Sequence, residues 1–380
     1  MKEIVVLGGG TGGTLVANLL AKKLKSSEAN ITVVSASNRH LYQPGWLYVP
    51  FGKQDPRALS RPVASLLRKR VNLVLGKVAG LDTEKKVVAL EEGKSLPYDY
   101  LVIATGSQVA PEDVPGFSEG AHYFYTEEAS FKLHAALEEF TGGRIVIGVG
   151  GLPYKCPVAP LEFTFLLDEY LTHRGIRDKT EITYTFPLNR VFSIESVAEV
   201  AQPMLEERNI KIETFFNLEE VVPEEKLVRS MEGTELNYDL LIMIPPHRGA
   251  KFLQGHPIAD PQGWVKTDRA TLEVKGAPDI WALGDTTDLP ISKAGSTAHF
   301  EAPVIVERLA SRLRGTKPEE KHAEYNGHVM CFLETGYGKA SMLNFDYEHP
   351  PKVAEPNHTV HYEKMVFNKA YWYLVPTGVM

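Results

Sequence analysis

The run Gly8-Gly9-Gly10-Thr11-Gly12-Gly13 constrains this chain more than any other stretch. It follows Ile4-Val5-Val6-Leu7, an apolar run rich in β-branched residues, as a buried parallel strand is. After it, Leu15, Val16, Leu19, Leu20 and Leu24 recur at helical spacing, and a second strand is expected at 31–34. The unit reads strand, turn, helix, strand, with G-x-G-x-x-G on Gly8, Gly10 and Gly13. One glycine permits the tight turn, another lets backbone approach a pyrophosphate, and the last lets helix pack on strand. The helix start then offers free N–H groups to the anion, so a dinucleotide site is expected here. The second strand ends at Ser35, where such motifs usually carry Asp or Glu for the ribose. A serine accepts that hydrogen bond more weakly than a carboxylate does.

A second glycine-rich turn looks damaged. Arg144-Ile145-Val146-Ile147-Gly148-Val149-Gly150-Gly151 again runs from strand into turn, but the sixth position from Gly148 is Pro153. Proline lacks an N–H and fixes the turn, which spoils a phosphate cradle. The next strand, 181–186, ends in Phe186-Pro187 with neither acid nor arginine for a ribose. This region is expected to keep a nucleotide fold without its nucleotide, a divergent NADH site being the alternative.

Composition narrows the classes. Lys and Arg number 41 against 48 Asp and Glu, a formal charge of −7, which argues against a nucleic-acid partner. No charged-then-apolar leader and no spanning apolar run are seen, so a cytoplasmic or membrane-surface chain is expected. Two cysteines do not make a disulfide scaffold, and the twelve histidines show no metal-ligand spacing, so no metal is expected.

Two further segments bear on the nucleotide. Tyr98-Asp99-Tyr100-Leu101-Val102-Ile103 runs into Ala104-Thr105-Gly106, and Asp279-Ile280-Trp281-Ala282-Leu283 runs into Gly284-Asp285 before a helix over 297–313. These resemble the paired motifs of two-dinucleotide-binding-domain flavoproteins. The resemblance implies an α/β fold with two Rossmann-like domains and a C-terminal amphipathic helical tail. An FAD domain would comprise 1–110 plus 270–320, a second domain 111–269, and a C-terminal redox and membrane-surface region 321–380.

Lys155-Cys156-Pro157-Val158-Ala159-Pro160-Leu161-Glu162, the Cys331 segment (327–336) and Tyr42-Gln43-Pro44-Gly45 add specificity. A lone cysteine is by default a small buried apolar residue. Cys156, however, sits where a glycine-rich turn opens a helix, beside Lys155, and both features favour its thiolate. With these pieces the chain resembles the sulfide:quinone oxidoreductases and the related flavocytochrome c sulfide dehydrogenase flavoprotein subunits, over nearly its whole length. The resemblance implies a redox pair of Cys156 and Cys331, with Glu162 and Lys155 moving protons or holding anions. It implies FAD contacts from Gly8, Gly9, Gly10, Thr11, Gly12, Gly13, Ser35, Ala36, Gln43 and Val78. Further FAD contacts would come from Ala104, Thr105, Gly106, Gly284, Asp285, Gly295 and Lys293, the last steadying reduced flavin. Relatives often carry a third cysteine before the second domain; here 121–126 holds none, so the FAD is expected to be non-covalent.

The resemblance also implies a quinone pocket from Met330, Phe332, Lys364 and Phe367. Residues 358–375 carry Tyr362, Met365, Val366, Phe367, Tyr371, Trp372, Tyr373 and Leu374, with charged residues between them. A helix of this kind either covers its own core or lies at a bilayer interface, where Trp and Tyr are favoured. The implied partners are sulfide, a membrane quinone and a membrane surface, with room for a homo-oligomer. A type II NADH:quinone oxidoreductase, a subunit feeding a cytochrome and a flavin-binding redox sensor stay open as alternatives.

Overall fold

The computed structural model describes residues 1–379. Its centre is a five-stranded parallel sheet in the order Ile280–Ala282, Tyr100–Ile103, Lys2–Leu7, Ala29–Ser35, Val71–Leu75. Ile4, Val6, Leu7, Val102 and Ile103 are wholly buried, which is why these strands read as unbroken apolar runs. Helices Thr11–Lys23 and Gly295–Arg314 share one core cluster on one face, through Leu15, Leu20, Ile305 and Leu309.

A second parallel sheet has four strands, Ile210–Thr214, Thr180–Phe186, Gly143–Val149 and Leu240–Ile244. Helix Ala159–His173 packs into its core and is buried on almost every side, as its apolar composition requires. Each parallel sheet is accompanied by a three-stranded antiparallel one, Val78–Asp82 to Ser95–Pro97 and Leu218–Val222 to Glu235–Asn237. The α/β architecture of two Rossmann-like sheets is thus the one expected.

The chain then forms a hairpin, Val329–Gly336 against Lys339–Phe345, with Cys331 opposite Leu343. Helix His358–Leu374 follows, its N-terminus capped by Asn357, whose side chain accepts from the Val360 N–H. Its inner face joins Tyr371, Trp372 and Val375 to Tyr42, Trp46 and Leu59. Among the described residues, no helix is long and apolar enough to cross a membrane.

Candidate functional site

At the C-terminal edge of the first sheet, Gly8 turns with φ +118, and a Cβ there would lie 2.2 Å from the Ala104 carbonyl oxygen. A Cβ on Gly13 would meet the Gly8 oxygen at 1.9 Å, and on Gly9 the Ser35 hydroxyl at 2.4 Å. Gly12 approaches Leu283 closely. Gly10 is the exception: a Cβ there meets nothing within 4 Å. The turn is closed where helix meets strand and open where an outside group would rest. Helices starting at Thr11 and at Gly295 both lack a side-chain cap and an acidic first turn, leaving their N–H groups to an anion. A Cβ on Gly295 also meets nothing. These residues fit a dinucleotide pyrophosphate.

Around this cradle, the Thr105 and Thr286 hydroxyls lie 3.1 Å apart, tying the Ala104-Thr105-Gly106 turn to the Gly284-Asp285 turn. The Ser35 hydroxyl donates to the Ser37 carbonyl, leaving oxygen lone pairs for a ribose hydroxyl. Ala36 and Gln43 are exposed, and Val78 is half-buried. Burial raises the Asp285 carboxyl, while Lys155 and Lys293 pull it down. Glu301, which sequence reasoning missed, accepts the Gly284 N–H at 2.6 Å; burial pushes its carboxyl up to about 8.

Lys293 lies beside the Gly284-Asp285 turn. Its buried ammonium donates to the Asp285 and Thr287 carbonyls at 3.1 and 2.6 Å and lies 4.1 Å from the Trp264 ring centre. Those contacts occupy it within the protein. Its backbone carbonyl, meanwhile, accepts the Cys156 N–H at 2.6 Å, so the two glycine-turn regions meet at this point.

Cys156 departs from expectation. It does not open the helix, which starts at Ala159 with Val158 at the cap position. It holds a left-handed φ of +48, a backbone state that non-glycine residues keep only where surroundings impose it. Burial pushes its thiol well up, and Glu162 and Cys331 push it the same way. Lys155 interacts with Cys156 too, but it answers the Asp285 charge more strongly. The cation that moderates both thiols is Lys364. Burial likewise raises the Cys331 thiol to about 12, against a lowering from Ser296, another residue the sequence did not flag. Burial of both thiols thus weighs against the thiolate that the Cys156 sequence context favours. Neither cysteine is in a disulfide.

Strand alternation sorts the hairpin. Successive side chains on Val329–Gly336 face opposite ways, so Cys331 lies on one face and Met330, Phe332 and Glu334 on the other. Phe332 meets Phe367 of the C-terminal helix with ring centres 6.4 Å apart. Glu162, expected beside Lys155, instead accepts the Lys364 ammonium at 2.5 Å and the Glu334 N–H at 2.8 Å. Burial opposes the Lys364 charge, yet Glu162, Tyr48 and Glu334 hold it above its ordinary range. The Glu334 carboxylate in turn meets His361 Nδ1 at 2.9 Å.

The C-terminal helix also reaches the first glycine turn. His40, wholly buried, contacts the Gly9 carbonyl through Nδ1 at 2.9 Å and the Tyr371 hydroxyl through Nε2 at 2.8 Å. Burial pushes this imidazole down to about 4, so the neutral ring donates to the carbonyl and accepts from Tyr371. The same hydroxyl lies 2.6 Å from Thr11 Oγ1. Tyr371 and Trp372, grouped in sequence with the bilayer-facing residues, thus point inward, with Arg61 5.0 Å over the indole. The outward residues are Tyr362, Val366 and Tyr373, each about two-thirds exposed. No metal-ligand cluster occurs among the described residues.

Known proteins resemble this chain over most of its length. Mitochondrial sulfide:quinone oxidoreductase of Mus musculus is 29% identical over 360 residues, spanning 92% of this chain and 79% of that one. Type II NADH:quinone oxidoreductase of Staphylococcus aureus is 24% identical over 346 residues, 84% of each chain. The structure of sulfide:quinone oxidoreductase from Aquifex aeolicus superposes with a TM-score of 0.86 at 22% identity, over 100% of this chain and 92% of that one. The family model described as pyridine nucleotide-disulphide oxidoreductase matches residues 2–302, and the chain belongs to that family.

Proposed function

We propose that this chain oxidises hydrogen sulfide and passes two electrons through a flavin to a membrane quinone. The carrying observation is the Val329–Gly336 strand, which sets Cys331 on one face and Phe332, packed on Phe367, on the other. One strand thereby separates a sulfur site from an aromatic site. The relatives named for sulfide and quinone span most of this chain.

FAD, held by the open Gly10 turn and the Gly295 helix start, supplies the two-electron relay between the substrates. With only two cysteines, both assigned to sulfur, the FAD is bound without a cysteine link. Cys156 and Cys331 form the redox pair. Hydrosulfide attacks one sulfur of their oxidised bridge by ordinary thiol–disulfide exchange: one S–S bond forms in a persulfide, the bridge S–S bond breaks and a thiolate leaves. Lys364 is the cation that favours this thiolate, opposed by Glu162. Met330, Phe332 and Phe367 line the quinone side. Tyr362, Val366 and Tyr373 face the membrane surface, where such rings are favoured.

The test is an anaerobic stopped-flow mix of the holoprotein with sulfide or with NADH. Sulfide should bleach the flavin absorbance and a quinone should restore it, while NADH leaves the colour. Bleaching by NADH and not by sulfide would turn the reading over to NADH:quinone chemistry.

A further inference from the structure

We infer that His361 and Glu334 are the entrance through which protons reach the buried Glu162–Lys364 pair during quinone reduction. This rests on the quinone half of the reading above. Reducing a quinone to a quinol consumes two protons along with two electrons. The packed Phe332 and Phe367 rings are apolar, so a quinone held against them would need a conducting path for those protons from water.

Two neighbouring ion pairs, Glu162–Lys364 and Glu334–His361, are suited to it. Glu162, Lys364 and Glu334 are 3%, 7% and 1% exposed, three ionisable groups taken out of water together. Buried ion networks of this kind contribute little stability compared with apolar packing, so their retention points to another use. Two carboxylates against one ammonium leave one negative charge to be balanced. The fourth member, His361, balances it when protonated and reaches the surface, with its side chain 23% exposed. Imidazole is the side chain that takes up and releases protons most readily near neutral pH.

His361 and Glu334 line a cavity of about 370 Å³ together with Tyr48, Asn368 and Lys53. That space is ample for several waters. Tyr48 is 7% exposed; among the described residues its buried hydroxyl has no partner within hydrogen-bond geometry, and its ring lies 5.5 Å from the Lys364 ammonium. An orphaned hydroxyl beside a polar cavity calls for water. A water in that cavity would bridge the interval between the Glu334 carboxylate and the Lys364–Glu162 pair, which meet directly through the Glu334 N–H.

In one cycle, His361 gives its Nδ1 proton to the Glu334 carboxylate 2.9 Å away, and water reprotonates the imidazole. The Glu334 carboxylic acid passes the proton inward and returns to carboxylate; two cycles serve one quinone. Burial already holds the Glu334 carboxyl above its ordinary range, against the pull of Lys364, so it accepts a proton readily. The other charges facing His361 are Lys369 on its own helix and the Lys53–Glu169 pair across the cavity.

The experiment starts from holoprotein reduced photochemically, so that it does not depend on sulfide, and follows reoxidation by decylubiquinone. His361→Ala should slow reoxidation at least about ten-fold and be rescued by added imidazole, as general acid–base relays are. Glu334→Gln should slow it too, without imidazole rescue, and Lys369→Gln should match the parent protein. The slowed variants should show a larger rate loss in deuterated water than the parent. Unchanged reoxidation in His361→Ala, or slowing that imidazole does not relieve and Lys369→Gln reproduces, overturns the relay. Failure of sulfide to reduce the flavin in a separate mix counts against the sulfide reading alone, since the oxidative half is measured without it.

Discussion

After strand Lys2–Leu7 the chain enters a helix at Thr11 through three glycines, and a Cβ on Gly10 would project into empty space. After strand Gly143–Val149 it passes through 150–158 before a helix starts at Ala159, and a Cβ on Gly150 would meet Leu218 at 2.8 Å and the Ile244 oxygen at 2.9 Å. The strands sit alike in their sheets; the turns do not. The first turn keeps room for a ligand, and the second fills that room with the protein's own atoms. The residues gained in the second turn carry Cys156, fixed by its N–H to Lys293. One strand-to-helix passage can thus leave an open turn that fits a phosphate or hold a cysteine in a filled one, depending on how soon the helix begins.

The largest expected effect tests the second turn. Cys156→Ser or Cys331→Ser should cut sulfide-dependent quinone reduction by about 1000-fold or more, to background, since a hydroxyl cannot form the bridge. Flavin content should stay normal. Wild-type turnover in either variant breaks the assignment of that turn to sulfur chemistry.

Next comes the first turn. Gly10→Val should yield a folded but colourless protein, with FAD affinity lowered roughly 100-fold, about 3 kcal/mol. Circular dichroism and the absorbance of released flavin check this. Gly150→Val should instead lower the melting temperature through its clash and keep the flavin. If flavin loss followed Gly150 rather than Gly10, the comparison would be reversed.

The smallest effect concerns the aromatic face. Phe367→Ala should slow flavin reoxidation by quinone roughly ten-fold, one lost ring contact being worth about 1–2 kcal/mol, while reduction by sulfide stays near normal. Lys364→Ala is a poorer probe of the same face. It leaves Glu162 buried and unpaired, which costs about 3–5 kcal/mol of stability.

Both turns were legible because their signals are local: glycines, a proline and a cysteine at short spacing. The strands were legible for the same reason, lying within a few residues of the expected 31–34 and 181–186. Lys155 showed only part of the electrostatics, because its charge answers Asp285 before Cys156 and a second cation, Lys364, comes to the thiols from the distant C-terminal helix. His40, Tyr48 and His361 carried no usable signal, since each acquires its partners only when distant segments pack. The side on which Trp372 lies stayed open because composition tells which side chains a helix has, not which face is covered.

The bond series from the Gly9 carbonyl through His40 and Tyr371 to Thr11 makes the last helix a structural part of the phosphate cradle. Helix docking and nucleotide retention are then linked equilibria, and linkage is reciprocal. Flavin loss loosens the helix, and prying the helix away by detergent or by proteolysis near its cap weakens the hold on flavin by the same factor. The C-terminus works as a latch whose state can be read from the colour of the protein.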